Sequence, residues 1–370
     1  PGNSEIVVVP FTVPKLKPGA ECWLTVRFKL SHSTMWAEED HEVGWAQLKM
    51  PFKPPPRPVV KPEEMPTLRL IRSPGKITVS GEEFSLVFDK ELGCIVSLIC
   101  RGTELVKRGP ALNVWRAPTD NDAPRLAPKW RAAGLDRVVH WIEAVEAEMV
   151  APQIVRVKVE CTVRALNGSE GFKCQYSYTV FGSGDIFVQI DIVPTVDLPP
   201  LPRIGLQLIL PGELDTFTWY GRGPHENYCD RKEGAAVGVY SGSVDDQYVP
   251  YIMPQENGNK TDVRWVSLTN SKGVGLLAAG MPLMETSVHR YTTEDLTKAK
   301  HTFELNKRKD IILNLDYKQS GLGGGSCGPD TLPKYLIKPQ PVRFKVRLRL
   351  RPFSLKEISA MELSKQEIKE

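Results

Sequence analysis

Two segments of the 370-residue chain gather polar and aromatic side chains densely enough to do chemistry. In Asn113-Val114-Trp115-Arg116-Ala117-Pro118-Thr119-Asp120-Asn121-Asp122, two carboxylates and an amide fall in a proline-containing turn after an apolar run. Such a cluster either orders its own loop through Asx-type hydrogen bonds or presents acceptors to a polyol. In Trp219-Tyr220-Gly221-Arg222-Gly223-Pro224-His225-Glu226-Asn227-Tyr228-Cys229-Asp230-Arg231, glycines supply turns and Asp230 stands beside Arg231, the makings of an ion-pair corner that fixes a loop. Gln255-Glu256-Asn257-Gly258 and Leu283-Met284-Glu285-Thr286-Ser287 extend the pattern of polar groups at strand ends. A pocket of flat aromatics with a few amides and carboxylates suits a sugar, whose ring offers apolar CH faces and hydroxyls together. Carbohydrate is the generic ligand these residues fit.

Other chemistries find less support. The six histidines (His32, His41, His140, His225, His289, His301) are isolated from one another, which disfavours a zinc site. Gly321-Leu322-Gly323-Gly324-Gly325 neither keeps dinucleotide spacing nor opens a helix, and reads as a flexible loop at a sheet end. Forty-eight Lys and Arg against 44 Asp and Glu leave a net charge of +4, too small and too evenly spread to hold a polyanion, so nucleic acid is not an expected partner. No apolar run approaches the roughly 18 residues a membrane helix needs. Seven cysteines (Cys22, Cys94, Cys100, Cys161, Cys174, Cys229, Cys327) show no CxxC spacing and read as reduced thiols, in keeping with a cytoplasmic location. Asn167-Gly168-Ser169 and Asn259-Lys260-Thr261 fit the glycosylation acceptor pattern, which is too short to carry weight.

The elements that must position these groups are strands. Gly 29 and Pro 31 punctuate the chain too often for long helices. Ile6-Val9, Cys22-Leu30 and Val43-Met50 read as three strands, with a turn at Pro18-Gly19. Three strands do not close a sandwich, so missing upstream sequence or a partner must cover them; the start at Pro1-Gly2-Asn3, without an initiator Met, points the same way. Seven prolines between Pro51 and Pro66 form an extended connector that cannot join a sheet ladder. Beyond Leu68, a hairpin (Lys76-Val79 and Phe84-Phe88) and the alternating runs Val155-Val163, Phe172-Val180 and Ile186-Ile192 read as half-buried antiparallel strands. Val342, Phe344, Val346, Leu348 and Leu350 alternate with Arg343, Lys345, Arg347, Arg349 and Arg351, which predicts five cations on a solvated sheet face. The expected helices are a short one near Pro128-Ala133, stopped by Gly134, and the charged tail from Ser354. The fold class is all-β, a large antiparallel sandwich. The domains are 1–51, a proline-rich linker 52–67, the sandwich 68–353 and a tail 354–370.

Taken in order, Trp115-Asp122, Trp219-Tyr228, Pro254-Gly258 and Leu283-Ser287 resemble motifs in the C-terminal domain of the large bacterial-type β-galactosidases of glycoside hydrolase family two, over roughly residues 68 to 352. Trp36 to Gln47 looks like the end of the immunoglobulin-like domain that precedes it. The resemblance implies a galactose-mutarotase-like supersandwich packed against a catalytic (β/α)-barrel, in the same chain or a separate subunit, within a homo-oligomer that cleaves terminal β-D-galactosyl residues. Retaining hydrolysis needs two carboxyl groups about 5 to 5.5 Å apart. In this family both lie on the barrel, so no catalytic residue is expected here and the chain alone should be inactive. The resemblance places Ser326 and Cys327, with Asp120, Asn121 and Asp122 nearby, at the substrate mouth. Cys327 stands where well-known members carry a tryptophan, so ring stacking there is lost. The loop after Asp122 is short, which argues against a lid. The chain itself needs no cofactor; the resemblance implies Mg and Na for the full enzyme and a monovalent-cation site near Pro254, Leu283 and Thr286. A stand-alone carbohydrate-binding module and an aldose epimerase are the alternatives. The second needs a paired acid and base at the anomeric centre.

Overall fold

The computed structural model describes residues 2–166, 168, 171–339 and 344–368, with the backbone alone for 344–347. The chain divides into two units, residues 1–60 with 365–370, and residues 61–364. Among the described residues no helix is long and apolar enough to cross a membrane.

In the smaller unit, β1 (Trp23–Lys29) and β2 (Glu42–Lys49) pair antiparallel, with Leu24 opposite Leu48 and Phe28 opposite Gly44. Phe28 and Leu48, on one face of this ribbon, are exposed. The strand expected at Ile6-Val9 does not form: Ile6 is 95% exposed, and no neighbouring strand is there to satisfy its backbone. The proline-rich connector does join a ladder, at the one stretch where Pro58 and Pro62 leave free N–H groups. There β3 (Val59–Val60) pairs in parallel with Glu367–Ile368.

The larger unit begins with an antiparallel run of β4 (Arg69–Arg72), β5 (Lys76–Ser80), β6 (Phe84–Asp89), β7 (Cys94–Cys100), β8 (Thr103–Val106) and β9 (Arg108–Asn113). Helix α1 (Ala127–Ala132) follows and is stopped by Gly134 at φ +71°, a left-handed conformation natural to glycine. Then β10 (Val138–Ala151), β11 (Ile154–Ala165), β12 (Gly171–Phe181) and β13 (Ile186–Pro194) pair in sequence order. Their strict alternation buries Val155, Val157, Val159, Cys161 and Val163 from β11, and Phe172, Cys174, Tyr176, Tyr178 and Val180 from β12. Each such aliphatic side chain contributes on the order of 1.5–3 kcal/mol. The two tyrosines keep partners inside: Leu112 N–H donates to Tyr176 Oη at 2.9 Å, and Tyr178 Oη–H donates to the Pro110 carbonyl at 3.3 Å.

The remaining strands are β14 (Arg203–Leu210), β15 (Thr216–Gly223), β16 (Ala236–Ser243), β17 (Lys260–Thr269), β18 (Val274–His289), β19 (Ile311–Gln319) and β20 (Phe344–Ser354). Strand β18 pairs along two stretches: Val274–Gly280 pairs with β20, which continues to β13, while Glu285–His289 pairs with β19, which continues to β14 and β9. The changeover falls at Gly280, where a Cβ would meet Met284 at 2.9 Å. A side chain there would block the close approach. The strand ends Asn113, Arg203, Lys260 and Gln319 are thereby brought towards one end of the unit, through register pairs Arg203 with Gln319 and Gly205 with Asn113.

Two expectations for the end of the chain change. Val342 and Arg343 lie outside the described residues, as do the side chains of Phe344 to Arg347; Leu348 and Leu350 are buried as expected. Arg349, however, is buried and not solvated: its Nε donates to Asp185 at 2.7 Å, and Arg351 reaches the same carboxylate at 2.9 Å. Asp185 is held below the ordinary carboxyl range because burial, which opposes ionisation, is outweighed by the two guanidiniums. The supposed tail is part of the fold. Helix α2 (Ala360–Ser364) buries Ala360 and Leu363, three residues apart on one face, in a small cluster with Trp265, Leu277 and Phe353.

Candidate functional site

The Asp120-Asn121-Asp122 turn follows β9 and opens α1, and its three side chains go to three different tasks. Asp122 is buried, taking Nε and Nη2 of buried Arg116 at 3.0 and 2.8 Å, and the Thr119 N–H at 3.0 Å. Its carbonyl accepts the amides of Arg125, Leu126 and Ala127, which fixes the start of the helix. Burial works against the Arg116 charge, but Asp122 outweighs it and raises its pKa. Asp122 is therefore a positioning group beneath the surface. Asp120 is exposed; its N–H donates to Gln255 Oε1 at 3.1 Å and its carboxylate accepts Gln255 Nε2 at 3.2 Å. Asn121 bridges to the glycine-rich loop: its Nδ2 donates to the Gly323 carbonyl at 2.9 Å, and its Oδ1 accepts Ser326 N–H at 3.1 Å and Ser326 Oγ–H at 2.7 Å.

The glycine-rich segment is tied down on both sides rather than left loose. Asp230 accepts the amides of Leu322 and Gly323 at 3.0 and 2.8 Å. Gly323 has φ +63°, and a Cβ there would lie 2.3 Å from Thr331 Oγ1, so glycine is required on two counts. Cys327 is exposed, with its amide on the Gly324 carbonyl at 3.2 Å. Asp230 and Arg231 do not pair with each other. Arg231 joins Glu226 at 2.6 Å, and Glu226 also accepts Gly258 N–H at 2.8 Å and the Tyr251 hydroxyl. Beside Asn121 and Gly325 opens a cavity of about 620 Å³.

Under these loops lies a buried ionic layer that the sequence reading missed. Arg203 is enclosed between Asp316 (2.9 Å) and Glu256 (2.7 Å), while Gln319 Nε2 reaches Glu256 and Asn259 at 3.2 and 3.3 Å. Arg116 donates to the Gln319 side chain at 3.4 Å and the Ser320 carbonyl at 2.5 Å, which links the layer to the Asp122 turn. Burial lifts Asp316 to about 6 despite Arg203, with Glu256 adding repulsion, and Asp316 Oδ1 has no hydrogen-bond partner. Gly205 gives room for that carboxylate: a Cβ there would lie 2.1 Å from Oδ1. Glu285, opposite Asp316 in the ladder, is pushed up to about 8 by burial and by Asp316, and accepts Asn259 Nδ2 at 3.1 Å. Lys260 is buried over the Trp219 ring, donates to the Gly258 carbonyl at 3.1 Å, and is lowered by burial to about 8. The signal for Arg203 and Asp316 was present: each is a lone charge at the end of an apolar run, Ile204 to Leu210 and Ile311 to Leu315.

Glu256 and Asp316 are both engaged by Arg203, so this layer orients the loops above it. Among the described residues no group of three or more His, Cys, Asp or Glu side chains is arranged to hold a metal. Of the residues expected near a monovalent cation, Leu283 is exposed and Thr286 is buried, its hydroxyl donating to the Asn314 carbonyl at 2.8 Å. All seven cysteines are free. Asn259 is fully buried with its amide bonded, which removes it as a glycosylation acceptor, and the Asn167-Gly168-Ser169 pattern falls outside the described residues at Asn167 and Ser169.

Comparisons with known proteins show which family the chain resembles. The family model described as β-galactosidase small chain matches residues 80–348, and that described as β-galactosidase domain 4 matches residues 1–51. A β-galactosidase of Priestia megaterium is 36% identical over 85% of this chain and 30% of its own length. One from an Arthrobacter species is 32% identical over 94% of this chain and 35% of its own. The chain thus spans about a third of the length of these relatives. Among solved structures, a galactose mutarotase and aldose epimerase homologue from C. elegans is similar at a TM-score of 0.42 and 10% identity, over 78% of this chain and 99% of that one. So distant a likeness bears on neither activity nor ligand. With most of its length matched by the small-chain model, the chain belongs to the β-galactosidase small-chain family.

Proposed function

We propose that this chain is the C-terminal portion or small subunit of a β-galactosidase that hydrolyses terminal non-reducing β-D-galactose residues. Its part is to shape the active-site mouth and support assembly. The two carboxyl groups that break the glycosidic bond lie on a catalytic (β/α)-barrel, in the same polypeptide or a separate subunit, and the whole enzyme repeats as an oligomer of identical units. The observation that carries this reading is the Asn121 bridge, where one amide joins the Asp120-Asn121-Asp122 turn to Gly323 and Ser326. It holds Ser326 and exposed Cys327 in a fixed rim while Asp122, below, anchors the turn through Arg116. A preorganised rim of this kind orients the leaving group and leaves the chemistry to groups elsewhere. The chain's own contribution requires no cofactor, and Mg and Na serve the full enzyme.

Two measurements test this. The purified chain, given nitrophenyl β-galactoside, should release no nitrophenol above the buffer rate; appreciable turnover would overturn the reading. In the full-length enzyme, Asn121→Ala should raise KM several-fold for galactosides with bulky leaving groups while kcat changes less, since the rim binds but does not react. Cys327→Trp should lower that KM by adding a ring face. Unchanged KM in both variants would remove these residues from the mouth.

A further inference from the structure

Between the Glu226 and Gln255 contacts, the loop from Val249 to Pro254 shows two large apolar side chains to water: Ile252 is 91% exposed and Met253 50%. No other large hydrophobic side chain described in the larger unit is as exposed as Ile252. A single exposed aliphatic group on a loose loop is ordinary and carries no meaning. Here the backbone that presents it is held on both sides. Val249 N–H donates to Oδ1 of buried Asn257 at 3.0 Å, Tyr251 N–H donates to the Val249 carbonyl at 2.9 Å, and Gln255 Nε2 donates to the Met253 carbonyl at 3.0 Å. The Tyr251 hydroxyl is fixed on Glu226, and Pro250 and Pro254 restrict the backbone angles at either end.

Two features say what covers this pair. Polar groups flank it: on the Tyr251 side stand Glu226 and the exposed Arg231, joined at 2.6 Å, and on the Gln255 side stands the exposed Asp120. An apolar centre with a polar border, on a backbone already ordered, is the make-up of an anchor for another protein surface. The second feature is position. The Gln255 Nε2 that holds the Met253 carbonyl also donates to the Asp120 carboxylate at 3.2 Å, so the loop is bonded directly to the turn of the proposed mouth. Whatever brings the two catalytic carboxyl groups to that mouth must approach this same end. The chain spans about a third of the length of its relatives, which leaves a larger portion to supply the facing surface.

We infer that Ile252 and Met253 are an apolar anchor by which this chain docks on the catalytic portion of the enzyme, seated among aliphatic or aromatic side chains there. The inference rests on the proposed β-galactosidase role and names the surface through which the two portions hold register. Burying the pair removes apolar area from water. Because the loop is ordered before it docks, little conformational freedom is lost on contact, and the same hydrogen bonds that order it transmit the docked position to Asp120.

The test sets the isolated chain against the full-length enzyme. With Ile252→Cys in both, a maleimide should modify the new thiol at least about tenfold more slowly in the full-length enzyme, read by peptide mass at that position, since docking takes it out of water. Ile252→Asp should leave the melting temperature of the isolated chain unchanged within about 1 °C, as befits a side chain that stands in solvent. In the full-length enzyme the same change should lower kcat/KM for nitrophenyl β-galactoside about tenfold, because a carboxylate is refused by an apolar seat and the mouth is then held less well against the reacting groups. Ile252→Leu should keep wild-type values in both. Equal labelling rates in the two proteins, or full activity in the Ile252→Asp enzyme, overturn the anchor while the β-galactosidase role stands. Protection that appears in the isolated chain and grows with its concentration makes a second copy the occupant and also overturns it. A full-length wild type without galactosidase activity removes the role, and the docking partner with it.

Discussion

One end of β14 buries Arg203 and the other buries Leu206, Leu208 and Leu210, so a single strand passes through two interiors built on different physics. The leucine end belongs to the large apolar core, which also takes in the inner faces of β11, β12 and β13. Its stabilisation is non-directional and tolerates any arrangement that fills the volume. The arginine end is a network in which Arg203, Glu256, Asp316, Gln319, Arg116 and Asp122 depend on one another. Buried ion pairs of this sort add little net stability, since desolvation offsets the attraction, but they fix geometry sharply and punish partial removal. The loops of the candidate site grow from the arginine end. The apolar end carries the fold, while the ionic end sets where Asn121, Ser326 and Asp230 stand.

The largest effect that would break this contrast concerns Arg203. Arg203→Ala leaves Glu256 and Asp316 buried without a counter-charge and should cost about 3–5 kcal/mol in urea unfolding. Adding Glu256→Gln and Asp316→Asn should recover a good part of that loss. Leu208→Ala should cost about 2–5 kcal/mol through its cavity, with no recovery from the same two changes. Equal recovery in both backgrounds would show that the two ends do not differ as described.

The pH dependence of stability gives a smaller effect. Asp316 and Glu285 are raised in the folded chain to about 6 and about 8, mainly by burial. The stability they lend is complete below the ordinary carboxyl range, and is lost as pH rises first through about 6 and then through about 8. Lys260 is lowered, so it works in the opposite sense, adding stability only as pH climbs above about 8 towards the ordinary lysine range. Buried His140 and His289 are lowered and oppose the first part of this fall, so urea midpoints of the wild type should fall between about pH 7 and pH 8, and Glu285→Gln should flatten that fall. A midpoint that rises across this window would contradict the sign. The smallest effect is expected at the surface, where Arg308 pairs with Asp295 at 2.5 Å and holds its carboxyl down at about 2. Both side chains are partly solvated, so Arg308→Ala should cost under about 1 kcal/mol in the same unfolding assay.

The strands were readable where one face is core and the other is water. Period-two alternation located β11, β12 and β13, and the Ser80-Gly81 turn located the hairpin of β5 and β6. The same logic failed at Ile6-Val9, whose apolar run found no ladder, and at Arg349, whose place opposite Leu348 in the pattern suggested water. Covering by α2, whose Leu363 carbonyl accepts Arg349 Nη1 at 3.3 Å, reversed that sign. In the site, the four motif segments drew notice by their polar density, yet the division of labour within them was hidden. Asp120, Asn121 and Asp122 are equivalent on paper, and only the packing of Arg116 behind them sends one carboxylate inward and leaves the others at the rim.

The sequence by itself determined an all-β chain rich in turns, the antiparallel character of its regular strands, and the segments where polar groups concentrate. These follow from local periodicity and backbone chemistry, which act between near neighbours. Tertiary structure alone decided which distant residues meet. Asn121 finds Ser326, Asp230 finds Gly323, and Arg203 closes on Glu256 and Asp316, because the changeover in β18 and the register of β14 on β19 carry strand ends from all along the chain to one place. The physical reason is one of range: propensity and alternation are written within a few residues, whereas a buried charge is tolerable only where the completed fold supplies its partner.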